Sequence, residues 1–255
     1  MKKNKISFFQ KGSIEIVDGE GTHKFPYHTH DSFMIGVVKS GVAKFVIENN
    51  EHILVNGMTY LIPPNVGMSI TPVKPYSYLT ICIKNERKIQ LGQYKSDLYI
   101  LNNPGDRVMS LCNKFKFEKL SEEEFIDELV ETLELQENRE ELNKEYSSTA
   151  VKDAVRYIKE HVNDKFSLDE LAKAVYLSKY HLVRVFKNEM GITPKQYDQQ
   201  CKIRKARERV LHEESEADIA FDLNFSNQSH LCSVFKRYMG ISINDYKCNV
   251  EKDKQ

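Results

Sequence analysis

Several ingredients are scarce in this 255-residue chain, and each scarcity removes a class of function. Its five cysteines (Cys82, Cys112, Cys201, Cys232 and Cys248) are odd in number and show no CxxC spacing, so neither a disulfide framework nor a zinc site is indicated. No apolar run approaches the roughly 20 residues that a bilayer-spanning helix needs, and no membrane partner is expected. The opening MKKNKISFFQ has the lysines of a secretory leader but not the apolar stretch that should follow them, which places the expected location in the cytoplasm. Net charge is missing too: 37 Lys+Arg balance 37 Asp+Glu. A neutral chain is a poor general binder of nucleic acid. The balance is uneven, however, since residues 147–255 carry 19 Lys+Arg against 16 Asp+Glu and residues 1–146 carry 18 against 21. That asymmetry permits a local basic face without demonstrating one.

What remains is a globular composition, 40% apolar and 29% charged, in a chain long enough for two domains. The two halves have different periods. From Ile6 to about Ile83, short β-branched and aromatic runs such as Phe33–Val38, Ala43–Ile47 and Tyr78–Ile83 alternate with Gly and Asn. With no helix between them they predict an antiparallel barrel or sandwich. After Lys84 helical spacing takes over. Ser121 with Glu124 is a capping box, and Phe125, Leu129 and Leu133 form an apolar stripe behind it. The polar segment Gln136–Ser148 reads as the linker. The expectation is therefore an α+β two-domain protein, with residues 1–140 as an antiparallel β-barrel or sandwich carrying accessory helices and residues 147–250 as an all-α domain.

The last third contains one phrase twice. Ser178–Tyr197 (SKYHLVRVFKNEMGITPKQY) and Asn227–Tyr246 (NQSHLCSVFKRYMGISINDY) coincide at nine of twenty positions when slid by forty-nine. Two copies are too few for a solenoid, which needs at least three. Each phrase is preceded by a short helix and a break: Ser167 with Glu170 caps Leu168–Val175, and Ala217–Leu223 leads into Asn224–Ser226. Thr193-Pro194 starts a long basic helix, carrying Lys202, Arg204, Lys205, Arg207 and Arg209, between the copies. A short helix, a tight break and a second helix make a helix-turn-helix, here doubled. In the first copy Leu182, Val185, Phe186 and Met190 share a core face, which leaves Lys179, Tyr180, Val183, Arg184 and Lys187 outward. In the second the outward set is Asn227, Gln228, Ser229, Cys232, Ser233 and Lys236. Arg184 suits a bidentate contact to guanine and Gln228 a contact to adenine. Lys187 suits phosphate. One amphipathic helix of this kind would be read as a solvated surface; two matched pairs on a bridging helix are read as a paired reader of double-stranded DNA.

Ser167–Lys247 closely resembles the DNA-binding domain of AraC/XylS-type bacterial transcription regulators. The residues that carry the likeness are SLDELAKAVYLS, LVRVFK, GITPKQY, KIRKAR and DIAFDLNFSNQSHLCSVFKRYMG. The resemblance implies two recognition helices in successive major grooves and activation through contact with RNA polymerase. It departs from the family pattern at Asn224 (usually glycine), Ser233 (usually arginine), Ile243 (usually proline) and Lys202 (usually arginine). Asparagine tolerates a left-handed turn. Loss of the arginine at Ser233 shifts base discrimination toward the first reader, and an extra residue lengthens the second turn.

Within Pro26–His30 (PYHTH), H-x-H would place two imidazoles on one face of a strand. The stretch His28–Ile83 resembles the small cupin domain that often precedes this type of DNA-binding domain. It keeps His28, His30, Gly41, Gly57 and Pro63 of the cupin pattern but has Ile35 and Met68 at the other two ligand positions. Two ligands are too few for a tight site, so no metal and no cofactor are expected, although His23 or His52 lie outside the motif as further donors. The candidate contacts for a small-molecule effector are His28, His30, Met34, Met68 and Tyr76, with Phe33, Tyr60 and Tyr78 either completing an apolar cavity or serving as core. The stripe Phe125, Leu129 and Leu133 packs on its own barrel or pairs with a second copy in a homodimer. Cys232 faces outward, with no cationic partner to activate its thiol. The reading is a one-component regulator and not an enzyme. Its rivals are an effector-independent DNA binder whose barrel only dimerises, and a cupin enzyme with a DNA-binding tail.

Overall fold

The computed structural model describes residues 4–47, 50–84, 99–101, 104–117, 120–133 and 148–252. The chain divides into two compact units. One comprises Met1–Lys24, His30–Asn143 and Cys248–Gln255, and the other Phe25–Thr29 and Lys144–Lys247. Residues 136–147 of the polar segment expected as linker lie outside the described residues. Two short segments do not follow the spans 1–140 and 147–250: residues 25–29 group with the helices, and residues 248–252 with the strands.

The chain runs β1 (Lys5–Lys11), β2 (Ile14–Gly21), β3 (Phe25–His28), β4 (Phe33–Ser40), β5 (Val42–Ile47), β6 (Asn50–Val55), β7 (Thr59–Ile62), β8 (Met68–Pro72), β9 (Tyr76–Ile83) and β10 (Tyr99–Leu101). Helices α1 (Gly105–Phe117) and α2 (Glu122–Thr132) follow, then the helical unit, and last β11 (Val250–Lys252). In the strand unit one sheet has the order β10-β7-β4-β9-β2-β1-β11. Its pairs are antiparallel except β1 with β11, which run parallel. In the second sheet β5 lies between β6 and β8, antiparallel to both.

The period-2 pattern explains both faces of β4. Phe33, Ile35 and Val37 point into a core shared with Ile14, Ile16, Ile81 and Ile83 and with the apolar stripes of α1 and α2. Phe33 therefore packs beneath the helices and lines no cavity between the sheets. The intervening positions face the second sheet, where the Phe45 and Tyr60 rings meet at 4.9 Å. Gly36 sits directly opposite Tyr60, and that ring leaves no room for a Cβ at position 36. The expected antiparallel architecture is thus two facing sheets with helices over one of them.

The helix α1 was not anticipated from the sequence. Val108, Leu111, Cys112 and Phe115 recur at helical spacing along it and are buried. Helix α2 opens on the expected capping box, with the Ser121 hydroxyl accepting from the Glu124 amide and the Glu124 carboxylate accepting from the Ser121 amide. Glu122 ties the helix to the β1–β2 turn by accepting from the Ser13 hydroxyl at 2.6 Å and its amide at 3.1 Å. Of the two readings for the stripe Phe125, Leu129 and Leu133, burial selects the first. All three residues lie in the core of their own unit, and Phe125 meets Phe115 at 4.3 Å between centroids. A face already covered by its own sheet cannot serve as a dimer seam, which corrects that assignment.

The helical unit contains α3 (Thr149–Glu160), α4 (Leu168–Ala174), α5 (Lys179–Met190), α6 (Pro194–Val210), α7 (Glu216–Asp222), α8 (Gln228–Met239) and α9 (Ile243–Asn249). Val151, Ala154 and Ile158 of α3 join Leu171, Leu182, Phe186 and Met190 in one core. Among the described residues no helix is long and apolar enough to cross a membrane.

Leu129→Ala should cost about 2–5 kcal/mol of stability in denaturant unfolding, because it leaves a cavity in a packed core. Its oligomeric mass should match that of the parent protein. A variant of unchanged stability and altered mass would restore the dimer seam.

Candidate nucleic-acid interface

The two helix pairs are built from the same local chemistry. Helix α4 ends with Tyr176 in the left-handed region at φ 56°. The Tyr176 amide donates to the Lys173 carbonyl and the Leu177 amide to the Ala172 carbonyl, the double closure that turns a chain sharply out of a helix. Helix α7 ends the same way: Asn224 has φ 56°, its amide donates to the Phe221 carbonyl, and that of Phe225 donates to the Ala220 carbonyl. The left-handed asparagine expected from the sequence is thus present. Each following helix then starts on a side-chain cap. The Ser178 hydroxyl accepts from the His181 amide at 3.3 Å, and the Asn227 carboxamide oxygen accepts from the His230 amide at 2.8 Å. The extra residue of the second turn is Ser226, whose amide donates to His230 Nδ1 at 3.3 Å.

Both readers also close alike. Helix α5 stops at Gly191 (φ 70°) and α8 at Gly240 (φ 77°). Phe186 packs edge-on against Tyr197 at 5.7 Å, and Phe235 against Tyr246 at 5.6 Å. Helix α6 starts on the expected Thr193 cap with Pro194 inside it, and Gln196 completes a capping box. At α4 only half of the expected box forms, the Ser167 hydroxyl accepting from the Glu170 amide.

The basic run along α6 is spent inside the unit. Lys202 is buried with Asp198 at 3.2 Å and donates to the Asp164 carbonyl at 3.1 Å. Burial raises the Asp198 carboxyl above its usual range, and the adjacent Lys202 opposes that shift. Arg204 lies over the Tyr197 ring at 5.7 Å and donates to the Thr29 carbonyl at 2.6 Å. Arg207 lies over the Tyr246 ring at 5.3 Å and donates to its hydroxyl at 3.3 Å. Arg209 pairs with Glu214 and Asp222. Of the five cations, Lys205 alone is exposed. Arg204 and Arg207 thus grip the repeated tyrosines from the bridging helix, one arginine per copy.

The faces expected to meet DNA look outward. Lys179, Tyr180, Arg184 and Lys187 on α5 are exposed and Val183 is half-buried. On the second copy Asn227, Gln228, Ser229, Ser233 and Lys236 are exposed. The free-standing faces differ in how they are held. Arg184 rests against His181 Nδ1 at 3.3 Å, and Lys179 pairs with Asp169 at 2.9 Å. Gln228 donates to the Glu216 carboxylate at 3.1 Å, and Cys232 Sγ lies 3.2 Å from the same oxygen. Sequence reasoning missed Glu216, which fixes two residues of the second reader from α7. Burial, and then the hydrogen bond to Glu216, push the Cys232 thiol up to about 11, so it is a poor nucleophile at neutral pH.

The candidate effector contacts are divided between the two units. His28 groups with the helical unit, buried, with Nδ1 2.7 Å from the Pro26 carbonyl. His30 groups with the strand unit. Met34, Met68 and Tyr76 are all buried in the strand unit, on strand faces that look between the two sheets. Tyr76 stacks on Tyr78 at 5.1 Å, its hydroxyl is buried with no hydrogen-bond partner among the described residues, and burial raises its phenol above the ordinary range. Tyr60, pushed by burial up to about 12, bonds the Thr80 hydroxyl at 3.2 Å. Among the described residues no group of three or more His, Cys, Asp or Glu side chains is placed to hold a metal ion.

Comparison with known proteins agrees with both units. Residues 12–87 match the model of the AraC-like ligand binding domain, and residues 171–248 match that of a helix-turn-helix domain. RhaS, an HTH-type transcriptional activator of Escherichia coli, is 24% identical, with 95% of each chain covered. YbfI, an HTH-type transcriptional regulator of Bacillus subtilis, is 26% identical over 82% of each chain. ToxT of Vibrio cholerae, solved with a bound unsaturated fatty acid, shares the fold at a TM-score of 0.63 and 15% identity, with 98% of each chain covered. RhaS and YbfI are both named as transcriptional regulators.

Glu216→Gln should speed alkylation of Cys232 severalfold at pH 8. A thiol with a pKa near 11 is almost wholly protonated at that pH, and loss of the neighbouring carboxylate lowers the pKa and enlarges the thiolate fraction. Peptide mapping after iodoacetamide treatment reads the rate, and an unchanged rate would remove Glu216 from the account of this helix.

Proposed function

We propose, from the premise that the chain belongs to the AraC/XylS-type family of bacterial transcription regulators, that it activates transcription in the cytoplasm by placing α5 and α8 in successive major grooves under the control of a small-molecule effector. The observation that carries this reading is the matched pair of capped, outward-facing helices on one bridging helix. Such a helix enters a major groove while its shorter partner crosses the backbone.

Within that reading the two copies have unequal tasks. Arg184 is the base reader of α5, able to meet the O6 and N7 of guanine in fork geometry. Tyr180 and Val183 flank it, while Lys179 and Lys187 contact phosphate. On α8, Asn227, Ser229, Ser233 and Lys236 position the helix, and Gln228 reads adenine only by leaving Glu216. Specificity therefore rests mainly on the first reader. The effector is proposed to bind between the sheets at Met34, Met68 and Tyr76, where the unpartnered Tyr76 hydroxyl supports a ligand with a hydrogen-bonding group. His28 and His30 remain candidate contacts. A ligand that favours the DNA-competent arrangement would raise its population, and RNA polymerase and a second copy of the chain are the protein partners of the complex.

A second reading, in which DNA binding needs no effector, is favoured by one observation. The Tyr60 ring fills the space above Gly36, so the protein's own side chains occupy room between the sheets. Native mass spectrometry of the intact chain separates the two, since a co-purifying organic molecule supports the sensor.

Arg184→Ala should cost about 1–3 kcal/mol of discrimination at one base pair. Lys187→Ala should weaken binding to every duplex alike and reduce the slope of log affinity against log salt by about 1. Both are read by titrating duplexes that differ at single positions. Unchanged site preference in the arginine variant, or altered preference at one base in the lysine variant, would reverse these roles.

A further inference from the structure

We propose that Tyr176 is a DNA-backbone contact of the first reader, its phenolic hydroxyl donating to a phosphate oxygen beside the groove that α5 enters. The inference rests on the reading of this unit as a DNA reader.

The starting point is an uncompensated strain. Tyr176 has φ 56°, a region that bulky L-residues rarely occupy and that glycine or asparagine fills at the end of a helix. Asn224 holds the same position in the second copy and makes use of its side chain there, donating to the Asn163 carbonyl at 2.7 Å. Tyr176 does nothing comparable. Its side chain is 95% exposed, and among the described residues no hydrogen bond, ion pair or ring contact involves it. The fold needs a left-handed residue at 176 and draws no packing from a phenol ring. Strain of this kind without return inside the fold points to a role outside it.

Its position specifies the role. Tyr176 lies in the turn between α4 and α5, two residues before the Ser178 cap. In a helix-turn-helix the first helix crosses the sugar–phosphate backbone and the second enters the groove, so the joining turn lies next to phosphates. Exposed on either side are Lys173 and Ala174 on α4, the cap Ser178, and Lys179 and the 80% exposed Tyr180 on α5, with Lys179 paired to Asp169. Tyrosine is one of the residues that donate to phosphate oxygens and thereby set register without reading sequence. A neutral hydroxyl also releases no counterion, which separates it from a lysine contact.

Two variants of the full chain test this, with a duplex recovered by selection from a random library and a random-sequence duplex of equal length. Tyr176→Phe should leave the thermal midpoint and the salt slope unchanged and lower affinity for both duplexes by the same factor, roughly tenfold to a hundredfold for one hydrogen bond to a charged acceptor. Tyr176→Gly should raise the thermal midpoint, because the left-handed strain is relieved, while it weakens binding at least as much. Stability and affinity moving in opposite directions is a result that a structural role does not produce. Wild-type affinity in both variants overturns the proposal, as does a changed base preference in Tyr176→Phe. Wild-type DNA binding with lost activation in a reconstituted transcription assay also overturns it, by assigning the ring to a protein partner. If the unmodified chain enriches no sequence from the library, the DNA-reading function itself fails, an outcome distinct from all of these.

Discussion

Four residues with positive φ hold both readers in place: Tyr176 and Gly191 around α5, Asn224 and Gly240 around α8. A left-handed residue lets a helix end within one position and sends the chain away at a steep angle. Each 12-residue reader therefore has sharp ends, and the side-chain caps Ser178 and Asn227 restart the helix at a fixed point. The core contacts of the repeated phrase follow from that constraint, because Phe186 and Phe235 reach Tyr197 and Tyr246 only if each helix leaves its turn in one direction. Strain at the turns sets orientation, and the ring pairs with their arginines on α6 lock it.

This arrangement also accounts for the neutral charge. The basic run Lys202–Arg209 reads as a nucleic-acid surface in the sequence, yet four of its five cations grip Asp198, Tyr197, Tyr246, Glu214 and Asp222. The exposed cations on these three helices include Lys205 on α6, Lys179, Arg184 and Lys187 on α5, and Lys236 and Arg237 on α8. In the proposed reading, the contrast between Arg184 and Ser233 at matched positions therefore carries the difference between the two helices.

Much of this was legible because it is local. The caps at Ser121 and Thr193, the stops at Gly191 and Asn224, and the strand alternation of β4 depend on residues within one turn or one pleat of each other. Other features depend on which of two faces meets a partner, and periodicity alone does not decide that. The stripe Phe125, Leu129 and Leu133 fits a dimer seam and a sheet equally well until the sheet is seen beneath it. Phe33 and Met34 are neighbours of like polarity, and only strand register places one under the helices and the other between the sheets. The grouping of Phe25–Thr29 with the helices and the parallel pairing of β11 with β1 join residues far apart in sequence, where no short-range pattern exists. Helix α1 did carry a signal in Val108, Leu111, Cys112 and Phe115 at helical spacing. Tyr176 left none, since a tyrosine announces no left-handed backbone.

The central claim is that one chain reads two half-sites unequally. Selection of bound duplexes from a random library, followed by sequencing, tests it most directly. The account predicts an asymmetric motif with two blocks of base preference separated by about 10 base pairs, one helical turn, the block under α5 being the more stringent. Two equally stringent blocks, or no enriched sequence at all, would contradict it.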